Sequence, residues 1–171
     1  HALTDIIFVD IETVSQQPTF DQLDEEWQSL WTEKVNRQLQ PGISPAEFYP
    51  QRAAILAEFG KVICISTGFF MNTNEDSFRV RSFHAPDERE VLSSFVLFLQ
   101  SIETPGPWYF CGHNIREFDI PYLCRRLLAN RIPIPGCIDF QSKKPWETNL
   151  IDTFQYWRFG DYKNYTSLNL L

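Results

Sequence analysis

Residues 5–12, Asp-Ile-Ile-Phe-Val-Asp-Ile-Glu, form an almost unbroken apolar run. Its continuity predicts a strand covered on both faces, as at the centre of a sheet flanked by helices. The period then changes. Phe20, Leu23, Trp27, Leu30, Trp31, Val35 and Leu39 recur at helical spacing, and Pro41-Gly42 stops that helix. The aromatic members of this stripe read as core packing, not as a platform for stacking bases. Ser44, Pro45 and Glu47 carry the signature of a capped helix start, and Pro50 is expected to break or offset the helix that begins there.

Downstream, the apolar stretches 61–70 and 77–85 flank the polar cluster Met-Asn-Thr-Asn-Glu-Asp at 71–76, which predicts a hairpin. Residues 79–84 alternate, so one face of that strand should be exposed. Asp87 and Glu90 then precede an apolar helix through Val91, Leu92, Phe95, Leu99 and Ile102, closed by Thr-Pro-Gly-Pro at 104–107. Residues 108–114, Trp-Tyr-Phe-Cys-Gly-His-Asn, read as a second buried strand. A turn over 115–118 and a helix over 119–130, with Pro121 in its first turn, follow. Loops lead to a short strand running into a helix within 149–160. The order β, long helical insert at about 15–58, ββ, α, β, α, β, α predicts one α/β domain over residues 1–171 with a mixed β-sheet.

Composition narrows the function classes. With 171 residues and 43% hydrophobic positions, the chain can bury a full core, and disorder is excluded. It holds no apolar run near the roughly 18 residues of a membrane span and no basic-then-apolar leader, so it reads as a soluble, cytoplasmic protein without a membrane partner. His1 in place of Met marks a processed or added start and carries no functional weight. Cys64, Cys111, Cys124 and Cys137 lack any Cys-x-x-Cys spacing and read as buried thiols, not zinc ligands or disulfides. The net charge of −7 argues against wrapping duplex nucleic acid, although an enzyme gripping a few nucleotides remains compatible. Positive charge is nevertheless concentrated at Arg116, Arg125, Arg126 and Arg131 and at Lys143-Lys144. These either line a cleft or form a solvated face, and the solvated face is the plainer reading.

The chemistry concentrates at two places. Residues two apart on a strand share a face, so Asp10 and Glu12 project together while Ile11 turns into apolar packing. Paired carboxylates repel unless a cation lies between them, and an all-oxygen pair suits Mg²⁺ or Mn²⁺. The competing reading is a strand that simply ends in water. The second place is Cys-Gly-His-Asn-Ile-Arg-Glu-Phe-Asp over 111–119, which puts His113 and Asn114 at a strand end and Asp119 at a helix start. Asp119 there is either the helix N-cap or a third carboxylate reaching the first pair.

Phe-Val-Asp-Ile-Glu-Thr at 8–13, followed at long range by His-Asn-Ile-Arg-Glu-Phe-Asp-Ile-Pro-Tyr-Leu at 113–123, resembles the first two motifs of the DEDD (DnaQ-like) 3′–5′ exonucleases. The insert, residues 56–66 and residues 151–171 resemble more narrowly a bacterial group of predicted exonucleases related to the proofreading domain of family B DNA polymerases. The resemblance implies a ribonuclease H-like fold, a mixed β-sheet flanked by helices. It implies that Asp10, Glu12 and Asp119 are catalytic metal ligands for two Mg²⁺ or Mn²⁺ ions. By the same resemblance, Ile11, Thr13, His113, Asn114 and Phe118 would shape the substrate site, with core support the main role of Ile11. The implied substrate is the 3′ end of single-stranded DNA or RNA.

The family's third motif, Tyr-x-x-x-Asp or a histidine counterpart on a late helix, is missing. Tyr156, Tyr162 and Tyr165 are followed four residues later by Gly160, Thr166 and Asn169, and no histidine follows His113. Asp152 is expected to cap a helix. The expectation is a domain truncated before its last catalytic helix and impaired as a hydrolase. The alternative is a nucleic-acid-binding or protein-interaction module that has lost catalysis. Phosphatases and glycosyltransferases also use acidic pairs, but neither accounts for the 113–119 motif.

Overall fold

Strand β1 (Ile6–Ser15) lies in the middle of a five-stranded sheet, with β2 (Gly60–Phe70), β3 (Phe78–His84), β4 (Tyr109–Gly112) and β5 (Leu150–Asp152) arranged in the order β3-β2-β1-β4-β5. The computed structural model describes residues 2–71, 77–102 and 108–171. His1, the expected hairpin turn beyond Met71 and the expected terminator at 104–107 lie outside them. Strands β4 and β5 run parallel to β1, pairing Phe8 with Cys111 and Gly112 with Asp152, whereas β2 and β3 are antiparallel from Cys64↔His84 to Phe70↔Phe78. The result is the expected mixed β-sheet flanked by helices.

The chain divides into two compact units, His1–Glu12 with Ile63–Leu171, and Thr13–Val62. The larger holds helices α3 (Glu88–Ile102), α4 (Asp119–Ala129) and α5 (Thr153–Arg158). Helix α3 buries Val91, Leu92, Phe95 and Leu99, as its period predicts, and Phe83 of β3 stacks edge-on against Phe95 with centroids 5.6 Å apart. Each such fully buried side chain contributes about 1.5–3 kcal/mol. Phe83 is the only buried residue of β3. That edge strand is therefore more exposed than simple alternation predicts. A buried bidentate pair, Arg126 Nε to Glu88 Oε1 at 2.9 Å and Nη2 to Oε2 at 2.6 Å, clamps the last turn of α4 to the first turn of α3. Both charges also suit the helix dipoles. Among the described residues no cysteine forms a disulfide; Cys111 is buried as expected, whereas Cys64, Cys124 and Cys137 are only partly enclosed.

The smaller unit is the helical insert. Helix α1 (Glu25–Val35) starts later than the stripe predicts, because the Asp24 carboxylate accepts the Trp27 N–H at 2.8 Å and fixes the cap there. Residues Phe20–Gln22 make only a 3-10 turn, and the helix ends well before Pro41-Gly42. Helix α2 (Pro45–Arg52) has the predicted capping box between Ser44 and Glu47. Pro50 sits inside α2, and the offset comes three residues later, where the chain tightens into a 3-10 turn at Ala53–Ile55. Trp31, Val35, Tyr49, Ala53 and Phe59 form a core of their own. The Trp31 Nε1–H donates to the Pro45 carbonyl at 2.8 Å, so the indole is both buried and satisfied. At the base of the unit the Gln16 N–H donates to Phe59 O at 2.8 Å, and the Gln16 side chain reaches the Glu58 carbonyl at 2.9 Å.

Candidate active site

Alternation along β1 aims the first two carboxylates. Ile7, Val9 and Ile11 are buried on one face; Phe8, Asp10 and Glu12 share the other. Phe8 is half-buried against Phe70 and Phe78, with centroids 6.4 and 5.9 Å away, and beyond it this face opens to solvent at Asp10 and Glu12. Burial on both faces, expected along the whole strand, therefore stops at Phe8. Partial enclosure still raises the pKa of Asp10 above the ordinary carboxylate value.

The third carboxylate comes from across the sheet. Parallel strand β4 ends at Gly112, next to β1, where the strand order reverses direction between β1 and β4. Crevices at the carboxyl ends of parallel strands at such a reversal are where α/β sheets bind ligands. A Cβ on Gly112 would lie 2.8 Å from the Val9 carbonyl oxygen and 2.9 Å from Ile115 Cβ, so only glycine permits this approach. The chain then turns at Asn114, whose φ of 64° is left-handed, a conformation asparagine tolerates. The Asn114 carbonyl accepts the N–H groups of Glu117 and Phe118, closing the turn that delivers Asp119.

Phe118, not Asp119, occupies the N-cap of α4. Asp119 is the first helical residue, only 3% exposed, and its Oδ1 accepts the Ile11 N–H at 3.2 Å. Burial, and after it the Asp10 charge, push its pKa up to about 7, with hydrogen bonds from its own and the Ile11 N–H only partly offsetting them. Asp10 and Asp119, 109 positions apart, are thus near enough for the charge of one to act on the other. Glu12 lies on the same strand face as Asp10, exposed to solvent. Among the described residues, no three His, Cys, Asp or Glu side chains already converge as a metal cluster. The donor set of hard oxygens and the poorly compensated Asp119 charge nevertheless fit a divalent cation.

The remaining expected site residues divide. Ile11 contributes its backbone N–H to Asp119 while its side chain is buried. Phe118 packs against Tyr122, centroids 5.4 Å apart. Asn114 keeps its side-chain Oδ1 buried without a hydrogen-bond partner. The His113 ring is committed elsewhere, Nδ1 to Thr153 Oγ1 at 3.0 Å and Nε2 to the Thr166 carbonyl at 2.7 Å, between Phe154 and Tyr165. Thr13 belongs to the insert unit.

One positioning residue goes further than its sequence reading. Asp152 does cap α5, accepting the Phe154 N–H at 3.0 Å. It also accepts the N–H groups of Asn114 at 2.9 Å and Arg116 at 3.1 Å, holding the turn that presents Asp119. Nothing local in sequence signals a bond spanning more than thirty positions.

The family model for the exonuclease domain of family B DNA polymerases matches residues 35–155. Among solved structures, the family B DNA polymerase from the hyperthermophilic archaeon Pyrobaculum calidifontis is similar at 17% identity and a TM-score of 0.45, with 87% of this chain and 15% of that chain covered. No curated protein matches the chain.

Proposed function

Because the chain belongs to the family of exonuclease domains of family B DNA polymerases, within the DnaQ-like, ribonuclease H-like superfamily, we propose that it is a metal-dependent 3′–5′ exonuclease domain acting on the 3′ end of single-stranded nucleic acid. The observation that carries this reading is the buried Asp119 carboxylate, bonded to the N–H of Ile11 beside Asp10, its pKa raised to about 7 by burial and the Asp10 charge. Two carboxylates so placed gain most from a cation between them. Asp10 and Asp119 would hold Mg²⁺ or Mn²⁺, with Glu12 completing the set from the same strand face. When bound, a pair of such ions lowers the pKa of an attacking water and steadies the leaving 3′ oxygen.

The chain's own groups do the positioning. The Ile11 N–H and the start of α4 fix the Asp119 carboxylate. Asp152 fixes the turn before it. The unpaired, buried Asn114 Oδ1 supplies an acceptor for a nucleotide, and Phe118 an aromatic face nearby. His113 braces the turn from behind through Thr153 and Thr166. Since the sequence holds no Tyr-x-x-x-Asp after Asp119, the fourth acidic ligand is missing from these residues and hydrolysis by them alone is weak.

The competing module without catalysis is favoured by the same missing ligand. The test is degradation of 5′-labelled single-stranded DNA and matched RNA with Mg²⁺ or Mn²⁺, by this chain, by a version extended along its gene, and by the extended version carrying Asp10→Ala. Stepwise shortening from the 3′ end that Asp10→Ala abolishes supports the exonuclease. An extended protein that binds the strand and never shortens it replaces this reading with the binding module.

A further inference from the structure

We propose that a groove beside α4, separate from the carboxylate site, binds a single nucleoside 5′-monophosphate. The groove has a volume of about 670 Å³, within the roughly 300–1,000 Å³ of small-molecule sites. One wall is the outer face of α4, with Ile120, Cys124 and Arg125; the other is the chain leading to β5, with Ile138, Phe140 and Lys143. Neither Asp10, Glu12 nor Asp119 lines it.

Charge sets the ligand's sign. In a chain of net charge −7, Arg116, Arg125 and Lys143 converge on this groove against one carboxylate, Asp139. Asp139 is turned toward its own loop, its Oδ1 accepting the Gln141 N–H at 3.1 Å. None of the three cations belongs to the ion pairs found among the described residues. The Arg116 guanidinium is fixed entirely by neutral acceptors, the Pro145 carbonyl at 3.1 Å, Thr148 Oγ1 at 2.9 Å and the Leu150 carbonyl at 3.3 Å, so its charge is held in place without being cancelled. A phosphate is the group that a fixed guanidinium and two exposed cations match.

Shape and polarity set the rest. A bare phosphate would leave the apolar walls wet, whereas a base fills them. Phe140 is half-buried with the Lys143 ammonium 5.4 Å from its ring centroid, which places an aromatic plate beside a phosphate-binding charge. Gln141, an exposed residue of the lining, offers its amide to the polar edge of a base. This site does not depend on the exonuclease reading.

The test is calorimetric titration of the chain with AMP, adenosine and inorganic phosphate in EDTA, where the carboxylate site has no metal. AMP is expected to bind with a Kd below about 1 mM, and adenosine and phosphate each at least about tenfold more weakly, because each fills half of the site. Arg125→Glu and Lys143→Glu alter exposed side chains and should each weaken AMP about tenfold by reversing a charge at the phosphate. Asp10→Ala should leave AMP binding unchanged. Absent AMP binding, phosphate binding as tightly as AMP, unaltered affinity in both charge reversals, or loss of binding in Asp10→Ala each overturns the site. The DNA and RNA degradation assay stands whichever way this titration falls.

Discussion

Replacing Asp119 by asparagine should stabilise the metal-free protein at pH 8 and leave it unchanged at pH 3.5. Its pKa is 3.8 in the unfolded reference and about 7 in the fold. A raised folded value means that folding favours the protonated acid. The stability this group confers is complete below pH 3.8, falls as pH rises through the window up to about 7, and is absent above it. At about 1.4 kcal/mol per pKa unit, the gap amounts to about 4 kcal/mol. Asp10 and Asp152 are the charges that raise it besides burial, and both remain in the variant. An asparagine oxygen still accepts the Ile11 N–H, so the hydrogen bond at 3.2 Å is kept. For a chain of this size the gain at pH 8 corresponds to a Tm rise of about 10 °C. Thermal melts of both proteins at the two pH values decide it, with EDTA present. An equal shift at both values, or a loss of stability at pH 8, refutes the assignment of a buried, uncompensated charge to Asp119.

The same melts repeated with Mn²⁺ at pH 8 should raise the Tm of the parent protein, by the equivalent of about 2.7 kcal/mol at a hundredfold excess over Kd, and leave Asp119→Asn where it was. Gly112→Ala should cost about 1–3 kcal/mol in urea unfolding, since its methyl would press on the Val9 carbonyl and Ile115; a neutral result would mean that β4 can slide away from β1 without loss. Glu88→Gln removes the carboxylate that faces the buried Arg126 and should lower stability by about 3 kcal/mol, while the double change to Gln and Met recovers most of it, as a double-mutant cycle in urea would record. Trp31→Ala removes the fully buried indole of the insert core and should cost about 3–5 kcal/mol, read most directly as lost amide-exchange protection within residues 13–62.

Much of this architecture is legible in the residues because it is written in local period and local caps. The apolar run of β1, the Ser44 capping box and the stripe of α3 each declare an element without outside help. Asp10 and Glu12 are legible for the same reason, since alternation alone puts them on one face. What sequence could not supply are the choices made by distant partners. Asp119 suits an N-cap as well as a ligand, and only the Ile11 N–H, reached across the sheet, draws it inward. His113 has the right neighbours for a substrate contact, yet Thr153 and the Thr166 carbonyl claim both nitrogens. The early start foreseen for α1 fails on a smaller scale, because Asp24 competes for the Trp27 N–H and wins over a stripe that runs through it.

The Gln16 bonds to Phe59 and Glu58 bear on how quickly the sheet can assemble. The chain leaves β1 at Ser15 and enters β2 at Gly60, and a disordered stretch joining them would add about 2 kcal/mol of closure entropy over a turn one-tenth as long. The insert is not such a stretch. Packed around Trp31 and latched at Gln16, it holds the two strand ends together through contacts inside residues 13–62, so part of that closure cost is offset within the insert's own core. A segment that looks like an interruption of the sheet is, in kinetic terms, its turn.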